Sequence, residues 1–335
     1  MSEMFGLQVG YPSIVLPEFG ITAQTTHGIL CAVFSTHVKK DLEFQNLRIF
    51  LLLILLVIYC VTVCGNLLII LVVSSSRSLH SPMYFFLTQL SFSDILISTT
   101  IVPNMLHIVL YEGSSVSFFG CLTQFYFFSA FGMLETFILT VMSYDRYQAI
   151  CHPLHYTTVM HLTFCLGSIL LSWLILLVVI LVLSVTMSYL WFCGPNIIDH
   201  FFCDRDPNLE LSCSDTSILK AESMFLMISL GICPFTVITV SYIYIISTIL
   251  KIPSTTGRQK TFSTCSSHLT VVAMHYGSAF SIYLFSNSVH VKKILSLLYT
   301  VVTPFLNPII YSFSNRDISQ AYKKLLSKLY RTFLV

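Results

Sequence analysis

Asp145, Arg146 and Tyr147 set an acid, a base and an aromatic side by side where a long apolar stretch ends. Charged side chains are costly inside a bilayer, so this trio belongs at a membrane edge or in a pair of its own. Two more acids, Asp94 and Glu135, fall in the middle of apolar stretches. One reading makes them neutral, hydrogen-bonded carboxyls. The other makes them a cation site between two helices, with Asn66 and Asn307 as further polar ligands. Pro308 removes a backbone hydrogen bond, so its helix should kink beside Asn307. Cys121, Cys193, Cys203 and Cys213 fall in or beside loops on one side, and four cysteines allow three pairings. His200, Cys203 and Asp204 have the types of a metal site, but a disulfide at Cys203 would remove its thiolate. No nucleophile, base and orienter converge, so the chain does not read as an enzyme and no cofactor is expected apart from that cation.

The elements that position these residues are set by composition. The chain is 55% hydrophobic and 10% charged, with mean hydropathy +0.82. An ordinary soluble domain is about 25% charged, so the solvent here must be lipid. A net charge of +2, with no basic stripe, gives no footing for nucleic acid. A membrane helix needs roughly 20 apolar residues. Seven stretches qualify: Ile49–Val73, Met83–Leu110, Gly120–Ile150, Leu162–Leu190, Ala221–Leu250, Gln259–Ser286 and Ile294–Phe313. The expected fold is an all-α seven-helix membrane bundle. Its divisions are an external segment 1–47, a seven-helix membrane domain 48–313 and a cytoplasmic tail 314–335. No cleavable signal peptide is evident, so the first helix should direct insertion.

Lys and Arg are modestly enriched on the side that includes Arg146, Lys251, Lys260 and Lys323. This places the N-terminus outside and the C-terminus in the cytosol. In the tail, Ile318, Tyr322, Leu325, Leu326 and Leu329 recur at helical spacing among Lys323, Lys324 and Lys328. An amphipathic helix on the anionic inner leaflet follows from that pattern.

Several motifs resemble the odorant (olfactory) receptors of the rhodopsin-like, class A G-protein-coupled family. Gly65-Asn66 stands in the first span; Leu79-His-Ser-Pro-Met-Tyr-Phe-Phe-Leu87 and Leu90-Ser-Phe-Ser-Asp94 mark the second. Met142-Ser-Tyr-Asp-Arg-Tyr-Gln-Ala-Ile-Cys151 closes the third. Lys260-Thr-Phe-Ser-Thr-Cys-Ser-Ser-His-Leu269 opens the sixth, and Pro304-Phe-Leu-Asn-Pro-Ile-Ile-Tyr311 closes the seventh. The resemblance implies an odorant receptor coupled to a stimulatory, olfactory-type heterotrimeric G protein that raises cyclic AMP. It implies that Asp145 holds Arg146 at rest, and that Arg146 on activation meets the G protein and the tyrosines matching Tyr242 and Tyr311. Asn307 and Pro308 belong to the same switch. It also implies a sodium ion at Asp94 and Glu135, and disulfides Cys121–Cys203 and Cys193–Cys213.

By motif offsets, the odorant pocket would take Phe128, Ser129, Gly132 and Met133 from the third helix, and Leu226 and Met227 from the fifth. Tyr276, Phe280 and Tyr283 would come from the sixth helix and Thr300 from the seventh. None of these is charged, so neutral, apolar, volatile-sized ligands are expected. The chain departs from the family in its first ~40 residues, which carry no Asn-x-Ser/Thr sequon, and at Gln148, Thr261 and Ser314. The rival reading, a small transporter or channel, would call for repeated halves, and the landmarks here are each single. The same receptor serving as a chemosensor outside the olfactory epithelium is a nearer alternative.

Overall fold

The computed structural model describes residues 31–33, 42–111, 114–191, 198, 200–284 and 289–333. Their architecture is a bundle of seven long helices followed by a shorter one. These are α1 (Leu42–Ser75), α2 (Pro82–Tyr111), α3 (Phe118–Cys151), α4 (Leu162–Ser188), α5 (Ser217–Leu250), α6 (Thr255–Leu284), α7 (289–314) and α8 (Arg316–Phe333). Six helices of the described residues are long and apolar enough to cross a membrane. The remaining long helix, α6, has 30 residues, but His268, His275 and several Ser and Thr dilute its apolar character. A short antiparallel ribbon, Cys31–Val33 against Ser114–Val116, is the one non-helical pairing among the described residues.

The outward faces match a lipid solvent. Leu51, Leu53 and Val57 on α1, and Leu170, Leu174 and Val178 on α4, are exposed. Hydrocarbon tails are as apolar as these side chains, so helix association in lipid rests on close packing and hydrogen bonds rather than on hydrophobic burial. Both are present. Asn66 donates from Nδ2 to the Pro304 carbonyl at 3.3 Å, joining α1 to α7. Ser93 Oγ donates to the Phe131 carbonyl at 3.0 Å, joining α2 to α3. Arg48 Nε donates to the Val109 carbonyl at 2.9 Å. That guanidinium satisfies the end of α2, where helical carbonyls lack internal partners.

Two helices leave regular α geometry. α5 contains a π-helical turn at Met227–Ile232, and α7 one at Leu298–Val302. Such turns insert a residue and are frequent at functional sites. Hydrophobic periodicity did not foresee either.

α8 begins where Asn315 Oδ1 accepts from the Asp317 and Ile318 amides at 3.0 and 3.3 Å, an N-cap that ends α7 and starts a new axis. Ile318 and Ala321 are buried against the bundle while Lys323 and Lys324 stay exposed, as the amphipathic pattern required. The side chains of Leu326, Lys328 and Leu329 lie outside the described residues.

α1 and α7 approach closely at Gly65, where an added Cβ would lie 3.2 Å from Pro308 Cβ and Cγ. Gly65→Leu is therefore expected to separate α1 from α7. Overpacking of this kind costs about 1–3 kcal/mol, to be read as a lower unfolding temperature of the purified receptor, with Gly65→Ala much milder.

Candidate functional site

Polar and aromatic groups gather at three levels of the bundle, and α3 passes through all three. At its Asp145 end, Asp145 is fully buried and Arg146 is 13% exposed. Arg146 donates to Asp145 Oδ2 through Nε at 3.0 Å and through its terminal nitrogen. The other oxygen, Oδ1, accepts from the Tyr156 hydroxyl at 2.8 Å. Tyr156 opens the short helix Tyr156–Val159 beyond α3. Burial first, and then the Asp145 charge, push its phenol above the usual range, so it stays protonated and donates. Tyr147 points elsewhere: its hydroxyl meets His152 Nε2 at 3.0 Å, and its ring lies edge-on to Tyr244.

Tyr242 on α5 does not reach Arg146 with a hydrogen bond here. Its hydroxyl meets His268 Nδ1 on α6 at 2.7 Å, and His268 Nε2 meets the Leu139 carbonyl of α3 at 3.2 Å. A carbonyl only accepts, so Nε2 carries the hydrogen and Nδ1 accepts from the tyrosine. One imidazole thus ties α3, α5 and α6 together. Tyr311 is buried, and its hydroxyl has no hydrogen-bond partner among the described residues.

At mid-depth, Asn307 Nδ2 donates to both oxygens of Asp94, at 3.0 and 3.1 Å. Glu135 is near enough to Asp94 for the two carboxyls to interact electrostatically. His275 of α6 closes the cluster: Nδ1 is 3.5 Å from Glu135 Oε2, and Nε2 is 3.0 Å from Thr136 Oγ1. Glu135 Oε1, Asn307 Oδ1 and Asn66 Oδ1 are buried oxygens without a hydrogen-bond donor among the described residues. Oxygens of this kind are hard donors of the type that a small hard cation takes.

Toward the Cys121 end, the disulfide Cys121–Cys203 pins the loop between α4 and α5 to α3. Gln124 reinforces it by accepting from the Cys203 amide at 3.0 Å. The Cys203 thiolate is therefore not available to a metal, and the described residues hold no group of three metal-type ligands. Cys213 is also disulfide-bonded, while Cys193 lies outside the described residues.

Beneath this loop lie the pocket candidates. Phe128 and Gly132 are buried on α3, and Ser129 and Met133 are half-buried. Tyr276 and Phe280 sit with ring centroids 5.9 Å apart, both against Phe235 of α5 at 4.8 and 5.2 Å. Leu226 packs toward α3 and α4 among Phe125, Ile180 and Leu219, and Met227 begins the π-helical turn of α5. Thr300 is buried with its hydroxyl on the Ser296 carbonyl at 2.8 Å. The side chain of Tyr283 lies outside the described residues.

Sequence reasoning passed over Phe202, Phe235, His268, His275 and Tyr299. Phe202 adjoins Cys203, and its ring meets Phe128 at 5.0 Å, so the cysteine pattern could have found it. His268 and His275 are seven residues apart, two helical turns, on one face of an apolar helix. That spacing was a signal. Tyr299 offered none, because the π-helical turn decides where it points.

A family model described as olfactory receptor matches residues 55–329. The chain belongs to the olfactory receptor family. Human olfactory receptor 11L1 is 46% identical over 295 residues, covering 86% of this chain and 91% of that one. Mouse olfactory receptor 1E16 is 45% identical over 276 residues, covering 82% and 88%. The rat protein olfactory receptor 1 is 45% identical over 274 residues, covering 81% and 87%. The receptor is thus an odorant receptor and a multi-pass plasma-membrane protein, of a family of receptors rather than enzymes.

The Asp94–Asn307 contact makes a ligand-independent prediction. Asn307→Leu leaves Asp94 without its donor, at a cost of about 1–3 kcal/mol. The exchange Asp94→Asn with Asn307→Asp keeps one donor facing one carboxyl. Thermal unfolding of the purified receptor should fall for Asn307→Leu and recover most of the loss in the exchanged variant.

Proposed function

We propose that the receptor binds small, neutral, mainly apolar odorants between α3, α5, α6 and α7 beneath the disulfide-pinned loop, and couples them to a stimulatory olfactory-type G protein that raises cyclic AMP. The observation that carries this reading is the closed Asp145 site. Both oxygens of a buried carboxylate are taken, one by Arg146 and one by Tyr156, while Tyr242 is engaged with His268 and the Tyr311 hydroxyl has no hydrogen-bond partner among the described residues. This is a resting arrangement with its alternative partners already buried nearby. An odorant that prefers the open arrangement shifts the population toward it by its differential affinity and by nothing else. Arg146 then leaves Asp145, and Tyr147 sits at the rim it vacates.

The division into an external segment 1–47, a membrane domain 48–313 and a cytoplasmic tail 314–335 goes with this reading. The Cys121 end faces outside and the Asp145 end faces the G protein. Basic residues near the Asp145 end support that orientation, as does a disulfide at the other end, since disulfides persist in oxidising surroundings. Asp94 and Glu135 hold a sodium ion in the resting state, with Asn66 and Asn307 as neutral ligands; Glu135 Oε1, Asn66 Oδ1 and Asn307 Oδ1, which have no donor among the described residues, support the assignment.

Cells expressing the chain with an olfactory-type G protein and a trafficking chaperone test the coupling. A dose-dependent cyclic AMP response to some member of an odorant panel is expected, abolished in Arg146→Ala at equal surface staining. Tyr156→Phe removes one hydrogen bond to a charged acceptor, about 1.5–3 kcal/mol, and should raise basal cyclic AMP severalfold. Solute flux without cyclic AMP would overturn the reading. For the ion, replacing sodium chloride by choline chloride at constant ionic strength should lower the unfolding temperature. A ligand at about 100 times its Kd stabilises by about 2.7 kcal/mol. Asp94→Asn and Glu135→Gln should each abolish that sodium dependence.

A further inference from the structure

Gly132 and Tyr299 face each other closely across the bundle. A Cβ built on Gly132 would lie 2.9 Å from the Tyr299 hydroxyl oxygen and 3.8 Å from Cζ. With glycine there, α3 leaves a notch that this hydroxyl fills; a Cβ would oblige the hydroxyl to move. Tyr299 reaches it because it lies in the π-helical turn Leu298–Val302. One added residue re-aims the helix face by roughly 100°, since an α-helix has 3.6 residues per turn. Its ring stands edge-on to Phe128 at 6.3 Å and lies 5.6 Å from His275. Phe128 in turn meets Phe202 of the loop above. Tyr299 thus separates the aromatic cluster under the loop from the His275–Glu135 pair below.

We propose that Tyr299 is the specificity-determining residue that sets the depth of the odorant site: seated in the Gly132 notch, it stops ligands at the level of Phe128 and reserves the site for compact neutral odorants. This rests on the pocket assigned above, and adds to it a side chain on α7 that decides ligand length. Removing the ring opens a channel along α3 toward His275, lined by the bare backbone of Gly132. Longer homologues then gain a place for their added methylenes, each worth roughly a fourfold gain in affinity when buried.

The test uses the full receptor purified in lipid nanodiscs, with n-alkanols and n-alkyl acetates of increasing chain length as probes. Ligand-induced shifts in unfolding temperature are read without any G protein, and cyclic AMP in cells is read alongside. In Tyr299→Ala the preferred chain length should grow by about two or three carbons, with at least a roughly tenfold gain for the longer homologues. An unchanged length preference in Tyr299→Ala, with the parent receptor responding, would overturn the inference and leave the pocket intact. If no probe of any length shifts the parent receptor, the pocket reading fails and this inference falls with it. A second, ligand-free measurement guards against misfolding of the alanine variant. Gly132→Ala should lower the unfolding temperature, and adding Tyr299→Phe, which deletes the oxygen at 2.9 Å and leaves Cζ at 3.8 Å, should restore it. Additive losses in that pair would remove the notch from the argument.

Discussion

A polar group in hydrocarbon has no water to turn to, so each one must find its partner inside the bundle. The interhelical geometry of the receptor follows from that constraint. Asp94 draws Asn307 across from α7, Ser93 takes the Phe131 carbonyl, and Asn66 holds the Pro304 carbonyl. Arg48 closes the end of α2. Because lipid supplies little drive for apolar faces to associate, these contacts, with the close packing of Gly65 on Pro308, fix which helices neighbour which and at what height.

The same constraint makes the functional levels interdependent. α3 donates or accepts at every one of them: Gln124 under the loop, Thr136 and Glu135 at mid-depth, the Leu139 carbonyl to His268, and Asp145 at the end. Each α6 contact in this series goes through an imidazole, at His268 and at His275. A displacement of α6 relative to α3 must therefore break hydrogen bonds that have no solvent to replace them, which favours two discrete arrangements over a continuum of intermediate ones.

α7 concentrates the departures from regular helix. A π-helical turn at Leu298–Val302, a proline at Pro304, the Asp94 contact at Asn307 and a second proline at Pro308 follow within eleven residues. The π-helical turn and the two prolines loosen the backbone ladder locally, and neighbouring side chains reoccupy freed positions, as Asn66 does at the Pro304 carbonyl. The helix that faces both the odorant candidates and the buried carboxyl cluster is also the one whose backbone is least uniform. A rotation within it moves Tyr299 and Asn307 together.

Much of this was fixed by the order of residue types. Apolar stretches long enough to cross a bilayer located all seven helices, with ends within a few residues except for α1, which begins at Leu42 rather than near Ile49. The Asp-Arg-Tyr and Asn-Pro-x-x-Tyr motifs marked the ends of α3 and α7, and the spacing of Ile318, Tyr322 and the lysines placed α8. These are local properties, legible because composition and period act over neighbouring residues. The structure alone decided what each polar side chain meets. Tyr156 on Asp145 closes back over a helix end, while His268 on Tyr242 and His275 on Glu135 join residues on different helices, and no local pattern encodes such pairings. Tyr299 shows the limit most clearly. By its offset from the Asn-Pro-x-x-Tyr motif, Thr300 is the residue expected to face the site. A single inserted residue in the π-helical turn sets the facing of this helix. Where a side chain points is then set by the backbone path through the whole helix and by the Gly132 notch opposite, which only the folded bundle contains.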